Sequence, residues 1–215
     1  LGSRDLKSQI QLGMKYGIEF EYKPANINLM KYGTELPAAT GTNAKSLSFV
    51  WSHLLNGVEK FTEVRGAICD KISFSISHKG GVTCTQSWMP KSISNYLSAP
   101  ASPVTTPTYA SNPSTTPWSG ITTSTTPVTI NAVSYPAAEF KFDVSQNPVT
   151  VDPIGIPSFD FAAAGNRDVS LSFTTWSKDG TLIDDLTNFT ARTVSLTLAV
   201  VAGTTYTATF TNVYF

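Results

Sequence analysis

Histidine and cysteine are scarce in this chain: His53, His78, Cys69 and Cys84 are the only ones in 215 residues. Nucleophilic catalysis and metal binding most often draw on these residues, set close to one another or to acidic partners. His53 continues the apolar alternation of Leu47, Phe49 and Trp51 and reads as a partly buried strand residue, while His78 falls in an expected turn. No Cys-His, Ser-His-Asp or metal-ligand spacing brings them together. Asp179, Asp184 and Asp185 could gather a cation, but their spacing is not that of an EF-hand loop, and capping and solvation of a short helix account for them. Glu19 and Glu21 share one face of an early strand whose other face carries Ile18, Phe20 and Tyr22. In a monomer that acidic face meets water; in a closed ring it could face the interior. Asn188-Phe189-Thr190 fits the glycosylation triplet, which also arises by chance, and no secretory leader accompanies it. There is no glycine-rich phosphate loop. No catalytic, cofactor-binding or metal residue is assigned, no cofactor is expected, and the chain reads as a non-enzyme.

Composition narrows the classes further. Hydrophobic residues make up 41% and charged residues only 14%, well below the usual quarter. A surface rich in Thr, Ser and Pro is therefore neutral and polar, and part of it is expected to be covered by other subunits. Fifteen basic residues balance fifteen acidic ones, with no basic cluster. That argues against tight nucleic-acid binding, but not against a surface past which DNA slides. No apolar run approaches the length of a membrane span. The chain opens on Leu1, so an N-terminal piece is expected to be processed away or not included.

The elements that must position these residues are mostly strands. Lys71–Ser77 alternates Ile72, Phe74 and Ile76 with serines, and Gly81–Trp88 alternates again. A two-residue loop between them would oppose Ile76 to Thr83. A three-residue loop, with Gly80 left-handed, opposes Ile76 to Val82 and Phe74 to Cys84, and is preferred because it keeps apolar against apolar. Alternation then puts Cys84 near Phe74 and Cys69 on the opposite face, which argues against a disulfide. Asn56-Gly57 signals a second hairpin, between the Leu47–Leu55 alternation and Val58–Val64. Asp168–Trp176 and Val194–Val200 alternate too, and Ala202-Gly203 turns the latter into Tyr206–Phe215. Further strands are expected at Lys7–Leu12 and Tyr16–Tyr22. Two short helices are expected, at Pro24–Tyr32 and at Thr181–Asn188, the second capped by Asp179. The fold class is mainly β, a sandwich or barrel with one or two short helices.

One stretch differs in kind. Ser92–Ala138 carries no charge, and Ser98–Pro136 is dominated by Ser, Thr and Pro, with Thr-Thr-Pro at Thr105, Thr115 and Thr125. Proline fixes the backbone and removes donors, so regular sheet is hard to build there. The expected organisation is a discontinuous β domain, residues 1–91 and 139–215, with 92–138 as a Ser/Thr/Pro-rich surface insertion.

The order of these segments resembles the major tail tube proteins of long-tailed phages and related archaeal viruses. Gly2-Ser3-Arg4-Asp5 precedes a strand pair and short helix. Arg65-Gly66 leads into Ala67–Ser77, returning through Gly80-Gly81-Val82-Thr83. Phe140–Asn147 precedes a long loop, Gly165-Asn166-Arg167 leads into Asp168–Phe173, and a hairpin through Phe210–Phe215 closes the chain. The resemblance implies a virion tail protein of the tail-tube β-sandwich or barrel type. It implies self-association into stacked hexameric rings, other tail proteins at the tube ends, and DNA passing through the lumen without specific binding. If the chain assembles into such a tube, deleting Ser98–Pro136 is expected to leave assembly intact. A different class, a surface adhesin or carbohydrate-binding module, would use Trp51, Trp88, Trp118 and Trp176 as stacking platforms. Three of these lie on or beside alternating strands, where packing is their expected role.

Overall fold

The computed structural model describes residues 17–24, 29–34, 46–77, 81–99, 128–151, 161–163, 165–176, 180–201 and 204–215. Its first half contains β1 (Ile18–Tyr22), α1 (Lys31–Thr34), β2 (Ser46–Leu55), β3 (Val58–Ser77), β4 (Gly81–Met89) and β5 (Ser92–Leu97). Then come β6 (Val128–Ile130), β7 (Val133–Tyr135), β8 (Ala137–Ser145), β9 (Val149–Val151) and β10 (Phe161–Ala163). The chain closes with β11 (Asp168–Thr175), α2 (Thr181–Asn188), β12 (Arg192–Val201) and β13 (Thr204–Val213). The class is mainly β, as the alternation requires.

β3 is the spine. It runs for 20 residues and joins two runs that read as separate strands in the sequence. Its lower part pairs with β2 on one edge and β5 on the other; its upper part pairs with β8 and β4. The exchange happens at Gly66, whose φ of 60° is strained for any residue with a Cβ, beside a bulge that shifts the β2 register. Opposite, the break at Pro90 is bridged by the Lys91 amide donating to the Arg65 carbonyl at 3.0 Å.

The upper part of β3 belongs to the sheet β1-β4-β3-β8-β11, and a second sheet runs β13-β12-β6-β7. They face each other across one core. Ile72, Phe74, Val82, Cys84 and Phe142 come from the first sheet, and Val128, Ile130, Val194 and Leu196 from the second. Phe74 stacks on Phe142 at 5.1 Å and lies 6.2 Å from Phe140. A smaller cluster, Val64, Ala67, Cys69 and Trp88, fills the elbow where β3 changes partners.

Both predicted hairpin registers hold. Asn56 and Gly57, at φ 50° and 77°, form the two-residue turn between Leu55 and Val58. Ile76 pairs with Val82 and Phe74 with Cys84. Gly80, expected to be left-handed, lies outside the described residues. Cys69 differs from expectation. Asp70 is an extra residue in the β3–β4 ladder, so parity resets there, and Cys69 pairs with Trp88 on the same face as Phe74. The thiols are nevertheless unbridged. Their β4 positions, opposite Trp88 and at Cys84, are about 13 Å apart along the strand, well beyond disulfide reach.

The first helix is shorter and later than the spacing predicts. Leu29 and Met30 form a turn, Lys31–Thr34 is helical, and residues 25–28 lie outside the described set. This single turn is pinned to the sheet by side-chain amides. Gln86 Nε2 donates to the Leu29 carbonyl at 3.2 Å, and Gln146 Nε2 to the Gly33 carbonyl at 2.6 Å. Gly33 is required by contact, since a Cβ there would sit 2.9 Å from Ile72.

α2 matches its predicted span. Gly180 occupies its N-cap position and makes no side-chain cap; Asp179 lies outside the described residues. Within Ser92–Ala138, Ser92–Leu97 forms β5, and β6 and β7 contribute Val128, Ile130 and Tyr135 to the core. Residues 100–127 lie outside the described set.

Candidate assembly surface

Among the described residues, the side chains singled out for chemistry do not converge. His53 stands on β2 opposite Lys60, and His78 lies outside the described residues. Asp184 is exposed on α2. Asp185, expected to be solvated, is instead buried: Arg192 Nε donates to its Oδ2 at 2.7 Å, and Nη2 donates to its Oδ1. That pair staples α2 to the start of β12. Among the described residues no three His, Cys, Asp or Glu side chains gather as metal ligands. Of the tryptophans, Trp88 is buried, Trp51 and Trp176 are exposed, and Trp118 lies outside the described set.

What the fold does arrange is surface. The outward face of the larger sheet is built from the positions that alternate with its core. In register across the strands stand Glu21, Thr85, Ser73, Asp143 and Ser170; the next row is Glu19, Ser87, Lys71, Ser145 and Asp168. A third row is Thr83, Ser75, Lys141 and Ser172. Hydroxyls dominate. With Glu139, the paired part of the face carries five carboxylates, Glu19, Glu21, Glu139, Asp143 and Asp168, against Lys71 and Lys141, a net charge of −3. Asp143 is the best held. Its partial burial pushes its carboxyl up, but the Ser73 hydroxyl and the ammonium groups of Lys141, at 3.1 Å, and Lys71, at 3.7 Å, outweigh that and keep it below its ordinary value.

Both edges of this sheet are open: β1 pairs with β4 and β11 with β8, each on one side only among the described residues. Exposed edges template further pairing. Large apolar side chains are also exposed, and among the described residues two groups of them stand out. One is the tip of the β2–β3 hairpin, with Leu54 at 75% exposure and Leu55 and Val58 near half. The other is α2 and its surroundings, where Ile183, Leu186, Phe189 and Trp176 are all more than half exposed. Open edges and apolar projections on one chain are the marks of a subunit rather than of a free-standing domain.

A sequence profile of the phage tail tube protein family matches residues 2–214. The chain belongs to that family. No curated protein matches it. Membership makes this a structural component of the virion tail whose chains self-associate into a tube, and it gives the open edges and apolar projections a use.

The segments that carry the family likeness occupy definite places in the tail tube subunit. Arg65-Gly66 is the elbow of β3, and Gly165–Arg167 lead into β11 beside Asn147, which follows β8. Asn147 Nδ2 donates to the Asn166 carbonyl at 2.9 Å and to Asp168 Oδ2 at 2.8 Å. Gly165 lies so close to the Asn147 carbonyl that a Cβ would fall 1.7 Å from its oxygen. Gly2–Asp5 lies outside the described residues. Sequence reasoning missed the hydrogen bonds of Gln86 to the turn at Leu29 and of Gln146 to α1. The signal available was Gln86 standing in the apolar phase of β4, between Cys84 and Trp88. No described helix is long and apolar enough to cross a membrane.

Proposed function

We propose that this tail tube subunit closes into hexameric rings that stack into a conduit for the genome, with the outward face of β1-β4-β3-β8-β11 lining the channel. One observation carries the reading: a sheet face of mostly hydroxyls with a mild acidic excess, bounded by two strand edges that have no partner among the described residues. Edges of neighbouring copies that pair around the ring leave no unpaired backbone donors or acceptors. The lining then offers DNA few cations to stick to, while its short hydroxyl side chains leave the bore smooth. Other tail proteins meet the tube at its ends, and DNA passes without specific binding. In this reading residues 100–127 form the uncharged insertion on the tube exterior.

Negative-stain imaging of the purified chain tests the assembly. Stacked rings with sixfold class averages are expected, and a persistent monomer at high concentration overturns the reading. Cysteines placed at Ser75 and at Thr193, which is exposed on the face of β12 turned away from the core, test the lining. In assembled tubes a bulky maleimide should label position 193 and spare position 75 except at the tube ends.

A further inference from the structure

The link that leads into β11 places Arg167 in the lining of a cleft of about 340 Å³ formed by α1, β8, β12 and β13. The floor is apolar, with Met30, Phe142, Leu198 and Phe210, while Lys31 and Arg167 are its cations, and no carboxylate lines it among the described residues. Arg167 Nε is buried and has no hydrogen-bond partner among the described residues. Desolvation pulls that guanidinium below its ordinary value. A partly buried cation with an unmet donor is costly unless an anion reaches it. The position is also built rather than incidental, because Asn147 and the close contact at Gly165 hold the link on both sides of Arg167.

The β2–β3 tip has the complementary chemistry. Leu54, Leu55 and Val58 are exposed, and Glu59, also exposed, pairs across the hairpin with Leu54. An apolar knob bearing a carboxylate matches an apolar cleft bearing two cations. The tip cannot serve the cleft of its own chain. Val58 lies fourteen residues before Ile72, which pairs with Val144 in the cleft wall, about 46 Å along β3 at 3.3 Å per residue. The occupant is therefore a second copy, and the contact is head-to-tail, the geometry from which rings and stacks are made.

We propose that the β2–β3 tip of one subunit docks into the Arg167 cleft of another, with Glu59 answering Arg167 and Lys31 and with Leu54, Leu55 and Val58 on the apolar floor. This rests on the self-assembly proposed above and adds which two surfaces meet.

The test is charge reversal with rescue, read as the protein concentration at which half the chain sediments as tubes. Glu59→Arg and Arg167→Glu should each raise that concentration at least tenfold, and the double variant should return to within about threefold of the parent. A second measurement does not depend on how the reversed chains fold: Val58→Cys and Ala208→Cys, the latter on the face of β13 that carries Phe210 into the cleft, introduced in separate chains and mixed before assembly, should form an intermolecular disulfide on oxidation. Reversals that assemble like the parent overturn the docking and leave the tube intact as a reading. So do a double variant no better than the singles and tubes that form without the cross-link. A parent chain that never assembles overturns the tube reading, and the docking with it.

Discussion

Phe74 shows most directly how single residues hold this subunit together. It is fully buried, faces Phe142 and Phe140, and sits where β3 is flanked by both β4 and β8. Phe74→Ala should cost about 3–5 kcal/mol, the range for deleting a buried aromatic, read as a lower urea midpoint with unchanged slope. Phe74→Asp would set an unpaired charge in the same place and should yield no folded protein, seen as loss of the cooperative transition. The cysteines make a second prediction at this scale. Burial pushes the Cys69 thiol up to about 12 and that of Cys84 up to about 11, from an ordinary value of 9.0. The neutral thiol is thus the form the fold favours. Its contribution to stability is complete below about pH 9 and is lost as pH rises through 11 to 12, because the unfolded chain ionises first. Native protein at pH 8.5 should be inert to a thiol reagent that labels two cysteines per chain in urea. Rapid labelling of the native chain would show that the elbow opens.

Among the elements, the β2–β3 hairpin depends most on one backbone conformation. Gly57 holds φ at 77°, and Gly57→Ala should cost about 1–2 kcal/mol with no clash, since nothing lies near the added Cβ. The loss should appear as fraying of the tip, measured as faster amide exchange at Leu55 and Val58 with the core of β3 unchanged. This hairpin, like the β3–β4 pair, was legible because turn chemistry and period-two alternation agree there. Legibility failed where one departure from the pattern reset what followed. Gly66 breaks the alternation, so one strand of 20 residues reads as two. Asp70 bulges, so counting sends Cys69 to the wrong face. β6 and β7 are three residues each and lie beside a Pro- and Thr-rich run, too short for alternation to stand out. The assembly surfaces were only half visible. Glu19 and Glu21 marked the outward face, but Arg167 and Leu54 are brought into play by strand topology, which local spacing does not carry.

At the scale of the whole molecule, the uncharged stretch divides into parts with different fates. Val128, Ile130 and Tyr135 are buried between the sheets, and β6 is the strand that joins β7 to β12. Removing 98–136 therefore takes out two strands and three core side chains. At about 1.5–3 kcal/mol for each large apolar side chain, that loss approaches the whole stability of a typical domain. Replacing only residues 101–126 with a short Gly-Ser linker spares β5, β6 and β7. If those residues form an exterior insertion, the shorter deletion should keep the parent's urea midpoint and still form tubes, thinner in negative stain by the missing mass. The longer deletion should be insoluble or molten. Tubes lost from a shorter deletion that still folds would instead place residues 101–126 in a contact between subunits, because folding and assembly fail separately only when the missing segment serves a neighbour.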